Sequence, residues 1–280
     1  MPEGHTLHRL ALLHRRRYVG GTVRLSSPQG RFAVEAARLD GRTLTAVEAY
    51  GKHLFHHYGP HGTVHVHLGL YGGFTEFTLP EPEPVGAVRM RLLGRSHGTD
   101  LRGPTRCELL TEAEADAVRD RLGPDPLRDD ADPERGYARV SRSRTALAAL
   151  LMDQSVVAGV GNVYRAEVLF RQGIPPLLPG RSLDRARWDA LWADLVSLMR
   201  DGVRAGRIDT VAYEHHPEVT GRAPREDRHG GEVYVYRRTG QPCLVCGTPV
   251  AHSELAGRNL YWCPACQPAD HGVASPSPGA

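Results

Sequence analysis

Of the 35 lysines and arginines in this 280-residue chain, only one, Lys52, is a lysine. Arginine cannot in practice give up its proton, so it cannot replace a lysine that must both donate and accept one. Lys52, in Tyr50-Gly51-Lys52-His53-Leu54, is therefore a candidate functional residue, against the alternative that a biased composition left one lysine by accident. Long apolar runs are also missing. No stretch approaches the ~18 residues of a membrane span and no charged-then-apolar leader is present, which points to a cytoplasmic protein. Neither sign of charge dominates: a net +3 is too small to establish a polyanionic partner. Hydrophobic and charged contents of 40% and 24% are ordinary for a globular protein, and the length allows one or two domains with a substantial core.

The chain opens Met1-Pro2-Glu3-Gly4. Pro2 is small enough for removal of Met1 to be expected, leaving a secondary amine at the terminus. An α-amino group titrates near ~7.7–8.0 and a lysine near ~10.4, so the terminus offers more free base at neutral pH. Leu7, Leu10 and Ala11 at i, i+3 and i+4 predict a helix over Thr6–Arg17, whose positive end would lower the pKa of the amine further. A secondary amine attacking a sugar carbon gives an iminium with no N–H to lose, which suits Pro2 as a nucleophile and electron sink. Glu3 is placed to shuttle protons at the same carbon. The competing reading of Pro-Glu at a terminus is a disordered tail.

Alternating patterns and Gly/Pro turns predict eight short strands: Thr22–Leu25, Arg31–Ala36, Thr43–Tyr50, His53–Tyr58, Thr63–Leu68, Phe74–Thr78, Val85–Leu93 and Cys107–Leu110. That spacing suits a β-sandwich or flattened barrel. His53, His56, His57, His61, His65 and His67 invite a metal reading, but no carboxylate or cysteine joins them at ligand spacing, which favours exposed or phosphate-facing imidazoles. Residues 123–134, rich in Pro and Asp, read as an interdomain linker. Helices are predicted over Ser141–Met152, Asn162–Gln172 and Leu183–Ala205. The turn Gly159-Val160-Gly161 delivers Asn162 to a helix N-terminus that favours a phosphate, and Arg165 adds a cation one turn on. Residues 206–232, with His215, His216, Arg222, Arg225 and Arg228, are long for a structureless connection and read as a mobile functional loop.

Four of the five cysteines form Cys243-x2-Cys246 and Cys263-x2-Cys266, with sixteen residues between the pairs. This spacing gives Zn²⁺ four thiolates. Disulfide pairing is the competing use, disfavoured in a reducing cytosol. With every position filled by sulfur the metal is structural, one Zn²⁺ stabilising a hairpin tipped by Ala256-Gly257-Arg258-Asn259. An arginine held there suits bidentate contact with phosphate. Cys107, in an apolar strand, reads as a core residue.

Pro2-Glu3-Gly4, Gly51-Lys52, the Gly159–Arg165 turn and the four-cysteine hairpin with Arg258 together resemble the formamidopyrimidine-DNA glycosylase/endonuclease VIII family, over roughly residues 2–267. Gly4 and Leu70-Tyr71-Gly72 are closer to the endonuclease VIII branch. The resemblance implies an α+β multidomain fold: an N-terminal β-sandwich (1–122), a helical helix–two-turns–helix domain (123–232), a zinc finger (233–267) and a disordered tail (268–280). It implies a monomer that binds damaged DNA, duplex or single-stranded, in the cytoplasm and at the nucleoid, and turns the damaged base out of the stack. Pro2 would be the Schiff-base nucleophile, and Glu3 the proton donor and acceptor. Lys52 would contact phosphate and assist β-elimination, and Arg258 would grip phosphate and assist δ-elimination. Asn162 and Arg121 match DNA-backbone contacts, and Leu70 and Tyr71 match residues filling the hole left by the extruded nucleotide.

Two departures bear on specificity. His5-Thr6 stands where Pro-Glu is common, and Gly69 stands where a Gln precedes Leu-Tyr. The function implied is a bifunctional glycosylase/AP lyase for oxidised pyrimidines. Alternatives are preference for oxidised purines, a non-catalytic damaged-DNA-binding protein, and a zinc-ribbon scaffold binding RNA or protein.

Overall fold

The computed structural model describes residues 2–226 and 230–269. Met1, Arg228 and residues 270–280, on which the expectations of Met1 removal, one loop cation and most of the tail fell, lie outside the described residues. The chain divides into two compact units, one ending at Leu127 and the other beginning at Arg128.

The first unit starts with α1 (Gly4–Tyr18), whose Leu7, Ala11 and Tyr18 are buried at helical spacing. Next come β1 (Arg24–Ser26), α2 (Ala33–Leu39), β2 (Ala46–Tyr50), β3 (His53–His57), β4 (Thr63–His67), β5 (Gly73–Thr78), β6 (Val88–Leu93), β7 (His97–Arg102), β8 (Arg106–Leu110) and α3 (Glu112–Asp120). The strands form two antiparallel four-stranded sheets, ordered β1-β6-β7-β5 and β2-β3-β4-β8. Leu7 and Ala11 of α1 share a core with Leu54, Val64 and Val66 of one sheet and Met90, Leu92 and Leu101 of the other.

Three elements differ from the sequence reading. The strand expected over Arg31–Ala36 is a turn running into α2, where Ala and Arg favour helix and Ala36 and Leu39 bury one face. β7 was missed because His97-Gly98-Thr99-Asp100 looks like loop. Its buried polar groups are satisfied by tertiary partners: Arg91 grips Asp100 at 2.7 and 2.8 Å, and Thr99 Oγ1 donates to Glu76 at 2.6 Å. α3 was also missed, although Thr111 and Glu114 form a capping box at its start.

The second unit is helical, with α4 (Pro133–Val140), α5 (Leu147–Leu150), α6 (Asn162–Arg171), α7 (Arg185–Ala205) and α8 (Pro217–Thr220), followed by the hairpin β9 (Ala251–Leu255) and β10 (Arg258–Trp262). α4 begins inside the expected linker, with Asp132 as N-cap and Pro133 in the first turn. The helix expected over Ser141–Met152 shrinks to α5. Ser143 Oγ accepts from Thr145 N at 3.1 Å, the local competition by which serine breaks a helical turn, and Ala146 instead bridges Pro179.

α6 is buried from Asn162 to Phe170, including the carboxylate of Glu167. That carboxylate accepts from Thr210 Oγ1 (2.6 Å) and from the backbone N–H groups of Tyr234 (2.7 Å), Val235 (2.9 Å) and Tyr236 (2.8 Å). The segment read as a loose loop over 206–232 is therefore fastened at both ends. Arg222 pairs with Glu232 at 2.6 Å, and His215 Nδ1 meets the Tyr234 hydroxyl at 3.0 Å.

Candidate active site and nucleic-acid interface

Pro2 is half-buried immediately before α1, and Glu3, at its N-cap, is fully buried. The Glu3 backbone carbonyl accepts from Thr6 N at 2.9 Å, but its carboxylate makes no capping bond, so the helix does not consume it. Thr6, where a second carboxylate was missing, is half-buried, and His5 before it is 6% exposed.

Lys52 sits on the β2–β3 turn, and the residue that positions this turn lies in the segment read as a linker. Asp125 is completely buried. Its Oδ2 accepts from Gly51 N and from His8 Nε2, both at 2.7 Å, and its Oδ1 accepts from Leu127 N at 2.9 Å. Tyr50 adds a bond from its hydroxyl to the Gly123 carbonyl at 3.1 Å. One carboxylate thus ties the turn carrying Lys52 to the helix carrying Pro2 and Glu3. An acid flanked by two prolines, Pro124-Asp125-Pro126, was the available signal.

His61 is exposed as expected, but the other five histidines correct the expectation of exposed imidazoles. His56 and His65 are buried, at 0% and 1% exposure, and His53 and His67 are half-buried. Glu108 accepts from His65 Nδ1 at 2.9 Å, and His65 Nε2 then accepts from His53 Nδ1 at 2.8 Å. Burial, reinforced by the neighbouring imidazoles, lowers the pKa of His53 to about 3. Burial, His65, Lys52 and Arg106 lower that of His67 to about 4. Both ring nitrogens of His67 lack a hydrogen-bond partner among the described residues. Arg121, at the end of α3, is exposed and adds positive potential at His53 and His65. On the β4–β5 turn, the adjacent Leu70 and Tyr71 are 53% and 92% exposed and form an apolar tip.

In the second unit, the Gln154 side chain braces the turn before α6. Its Oε1 accepts from Gly159 N and its Nε2 donates to the Val160 carbonyl, both at 3.0 Å. Asn162 Nδ2 donates to the Asn259 carbonyl at 3.0 Å. Arg165 is not the surface cation expected from its place one turn on. It is 1% exposed, and its guanidinium donates to Asn162 Oδ1, to the Asn259 carbonyl at 2.7 Å and to the Ala148 carbonyl at 3.5 Å. It braces the hairpin because every face of α6 at this point is enclosed. Arg258, next to Asn259, is exposed at the start of β10. The two-residue turn before it has Ala256 at φ 50° and Gly257 at φ 71°, the left-handed geometry that closes a tight hairpin.

The four Sγ atoms of Cys243, Cys246, Cys263 and Cys266 lie within 4.8 Å of one another, with separations of 3.9 Å (Cys243–Cys266), 3.5 Å (Cys246–Cys263) and 3.5 Å (Cys246–Cys266). Zn–S bonds of about 2.3 Å require tetrahedron edges near 3.8 Å, so the donor set fits one structural Zn²⁺; a disulfide needs about 2.05 Å. Among the described residues this is the one such cluster, and the histidines do not form another. Cys107 packs against the core of the first unit, and burial pushes its thiol up to about 12.

Three family profiles match in order: the formamidopyrimidine-DNA glycosylase N-terminal domain over residues 1–107, its H2TH domain over 122–213, and the zinc finger found in FPG and IleRS over 240–269. Endonuclease 8 1 of Mycobacterium tuberculosis is 55% identical over 271 residues, which cover 95% of this chain and all of that protein. The chain belongs to the formamidopyrimidine-DNA glycosylase/endonuclease VIII family. The formamidopyrimidine-DNA glycosylase of Vibrio cholerae is 30% identical over 258 residues, covering 89% and 93% of the two chains. Among solved structures, the MutM (FPG) protein of Thermus thermophilus matches with a TM-score of 0.73 at 28% identity, over 95% and 98% of the two chains. Lactococcus lactis Fpg in complex with DNA containing an abasic site matches in fold with a TM-score of 0.75 at 21% identity, over 95% and 99%. Members of the family are DNA glycosylase/AP lyases, and this chain is a DNA glycosylase of DNA repair. No described helix is long and apolar enough to cross a membrane.

Proposed function

We propose that this glycosylase/AP lyase excises oxidised pyrimidines from DNA through a Schiff base on Pro2 and then cuts the strand by β,δ-elimination. The observation that carries the reading is the Asp125 anchor: a solitary lysine and the Pro2-Glu3 head of α1 are tied to the same buried carboxylate. With Met1 removed, the Pro2 nitrogen attacks C1′ as Glu3 gives a proton to the departing base; Glu3 then takes the proton from the Pro2 nitrogen and passes it to O4′, so that the C1′–O4′ bond breaks and the opened sugar is left as a C1′ iminium. The resulting iminium draws electrons from the C1′–C2′ bond region, so loss of a C2′ proton expels the 3′ phosphate. Loss of a further proton at C4′ then expels the 5′ phosphate, and water releases the sugar fragment from Pro2.

Lys52, its charge retained or shared, grips phosphate at the first elimination, and Arg258 does so at the second. Arg121 and Asn162 contact the DNA backbone, and Leu70 and Tyr71 fill the space left by the extruded nucleotide. Arg165 supports Asn162 and the hairpin. Preference for pyrimidines rests on Gly4, on Leu70-Tyr71-Gly72 and on the likeness to a protein named endonuclease 8. Oxidised purines are the second reading, supported by the likeness to formamidopyrimidine-DNA glycosylases.

Borohydride trapping on oligonucleotides bearing each lesion class tests both. We expect a covalent adduct with abasic and oxidised-pyrimidine DNA, mapped by mass spectrometry to Pro2, and a loss of at least 100-fold in Pro2→Gly. A sugar found on another residue, or Met1 retained in active protein, would sink the mechanism; faster trapping on oxidised purines would reverse the substrate preference.

A further inference from the structure

Near its C-terminal end, α1 carries a buried polar chain that the reaction does not use. His14 and His56 are both 0% exposed. His14 Nδ1 lies 3.0 Å from His56 Nε2 of β3, and His14 Nε2 lies 3.0 Å from Glu76 Oε1 of β5. The three residues therefore connect α1 to both sheets. Glu76 also accepts from Arg17 at 2.6 Å, from Thr99 Oγ1 of β7 at 2.6 Å and from the Tyr18 hydroxyl at 3.4 Å. Burial opposes its ionisation, but His14, Thr99 and Arg17 outweigh that and lower its pKa, so it stands as a carboxylate. A carboxylate only accepts, which puts a proton on His14 Nε2. A neutral His14 then has a bare Nδ1 that accepts from His56 Nε2–H. His56 Nδ1 is buried and has no hydrogen-bond partner among the described residues.

We propose that His14 is a positioning residue for the Pro2-Glu3 head of α1, and that its hold lasts only while the imidazole pair carries no more than one added proton. The inference rests on the reading of Pro2 as the nucleophile. Leu7, Ala11 and Tyr18 bury one face of the helix, but apolar contact is non-directional and resists sliding or rolling only weakly. Hydrogen bonds have preferred lengths and angles, and so resist both. His8 pins α1 to Asp125 near its start. His14 pins it to β3 and β5 six residues on, about two-thirds of a turn round the axis. Two pins on different sides of a rigid rod set its rise and rotation, and hence where its first residues stand. One added proton is accommodated: it goes to His56 Nδ1 while the shared proton passes to His14, whose two N–H groups then face Glu76 and His56 Nε2. A second would set N–H against N–H across 3.0 Å, and the pair must part. The charged and titratable groups around the pair are Arg17 and Tyr18 on α1, His57 on β3 and Glu76 on β5. Burial, His14 and His57 hold His56 well below the ordinary imidazole value, so the second proton arrives only in acid.

The test traps the Schiff base with cyanoborohydride in the full-length protein, at saturating abasic duplex and across pH, with the folded fraction followed by circular dichroism. Protonation of the Pro2 amine alone makes the rate fall about tenfold per pH unit in acid. In wild type, release of α1 should steepen this to about 100-fold per unit, well below the ordinary imidazole value of about 6.5. His14→Gln keeps both bonds, its amide oxygen accepting from His56 and its NH₂ donating to Glu76, but takes up no proton. It should trap within about twofold of wild type at neutral pH and keep the shallow slope throughout. His14→Leu, which strands His56 and Glu76, should lower the rate about tenfold or more at matched folded fraction, with the Kd for the duplex changed by less than about twofold. Histidine ¹⁵N NMR of the free wild-type protein reads the chain without turnover. Both rings should be Nε2–H tautomers at neutral pH, with scalar coupling across the His56–His14 bond. A His14 Nδ1–H tautomer, an equal acid slope in His14→Gln and wild type, or normal trapping in folded His14→Leu would overturn the assignment. Should His14→Leu not fold, the His14→Gln slope and the NMR decide. Any of these results with the adduct still at Pro2 removes only His14, whereas no adduct, or one on another residue, removes the reading on which it rests.

Discussion

In the first unit, the buried carboxylate of Asp125 takes hydrogen bonds from one helix side chain and two loop N–H groups brought together from α1, the β2–β3 turn and the end of the unit. In the second, the buried carboxylate of Glu167 takes four, and three come from consecutive residues, Tyr234 to Tyr236. Asp125 thus fixes the relative position of separate elements, whereas Glu167 gathers Thr210 and the run Tyr234–Tyr236 onto one helix. The second unit also has a metal to hold the hairpin carrying Arg258; the first places Lys52 without one. Functional side chains can be immobilised by a clamp onto one helix and a metal, or by a polar hub shared among separate elements. The two fail differently.

Chelation should separate them most sharply. Removing Zn²⁺ should unfold the hairpin and abolish DNA binding while the first unit keeps its cooperative unfolding transition, followed by DNA titration and calorimetry. Metal-free protein that binds damaged duplex normally would show that the finger is dispensable.

The two carboxylates give the next contrast. Glu167→Ala strands four buried donors at about 1–3 kcal/mol each before relaxation, and should lower stability by roughly 4 kcal/mol or more. Asp125→Ala strands fewer and should cost about 3 kcal/mol by urea unfolding, yet slow strand cleavage more, because it releases the Lys52 turn. If Glu167→Ala slowed cleavage more at matched folded fraction, the distinction between clamp and hub would be lost.

Arg258→Ala, on the clamped hairpin, should leave base release within about threefold of wild type and shift products from δ- towards β-elimination, read on a sequencing gel; an unchanged product ratio removes Arg258 from the chemistry. The last effect appears only in acid. His53 titrates at about 3 when folded and near 6.5 when unfolded, so between those values the unfolded chain binds more protons. Its contribution is present above pH 6.5 and is lost as pH falls towards 3, at up to about 1.4 kcal/mol per pH unit. His53→Gln should flatten the first unit's stability–pH curve over that window. An unchanged slope would place the acid sensitivity in other groups, such as His56, whose pKa burial also lowers.

Much of the molecule was legible in one dimension, for reasons that differ by residue. The thiolate spacing needs only local chain geometry to build a tetrahedron, and α1, α6 and α7 follow from apolar residues recurring at helical period. Capping logic at Thr111 and Asp132 was also available, although α3 is absent from the sequence reading and the start of α4 falls in the expected linker. The histidines and Arg165 were misread because side-chain type predicts exposure only on average. His65 is buried because Glu108 and His53 satisfy both its nitrogens, and Arg165 because carbonyls from Ala148 and Asn259 converge on it. Local periodicity, capping chemistry and metal-ligand spacing are properties of neighbours in the chain, and these the amino-acid order alone determined. The Asp125 hub and the polar strand β7 depend on groups from distant positions cancelling one another's desolvation. Only the tertiary structure decided those.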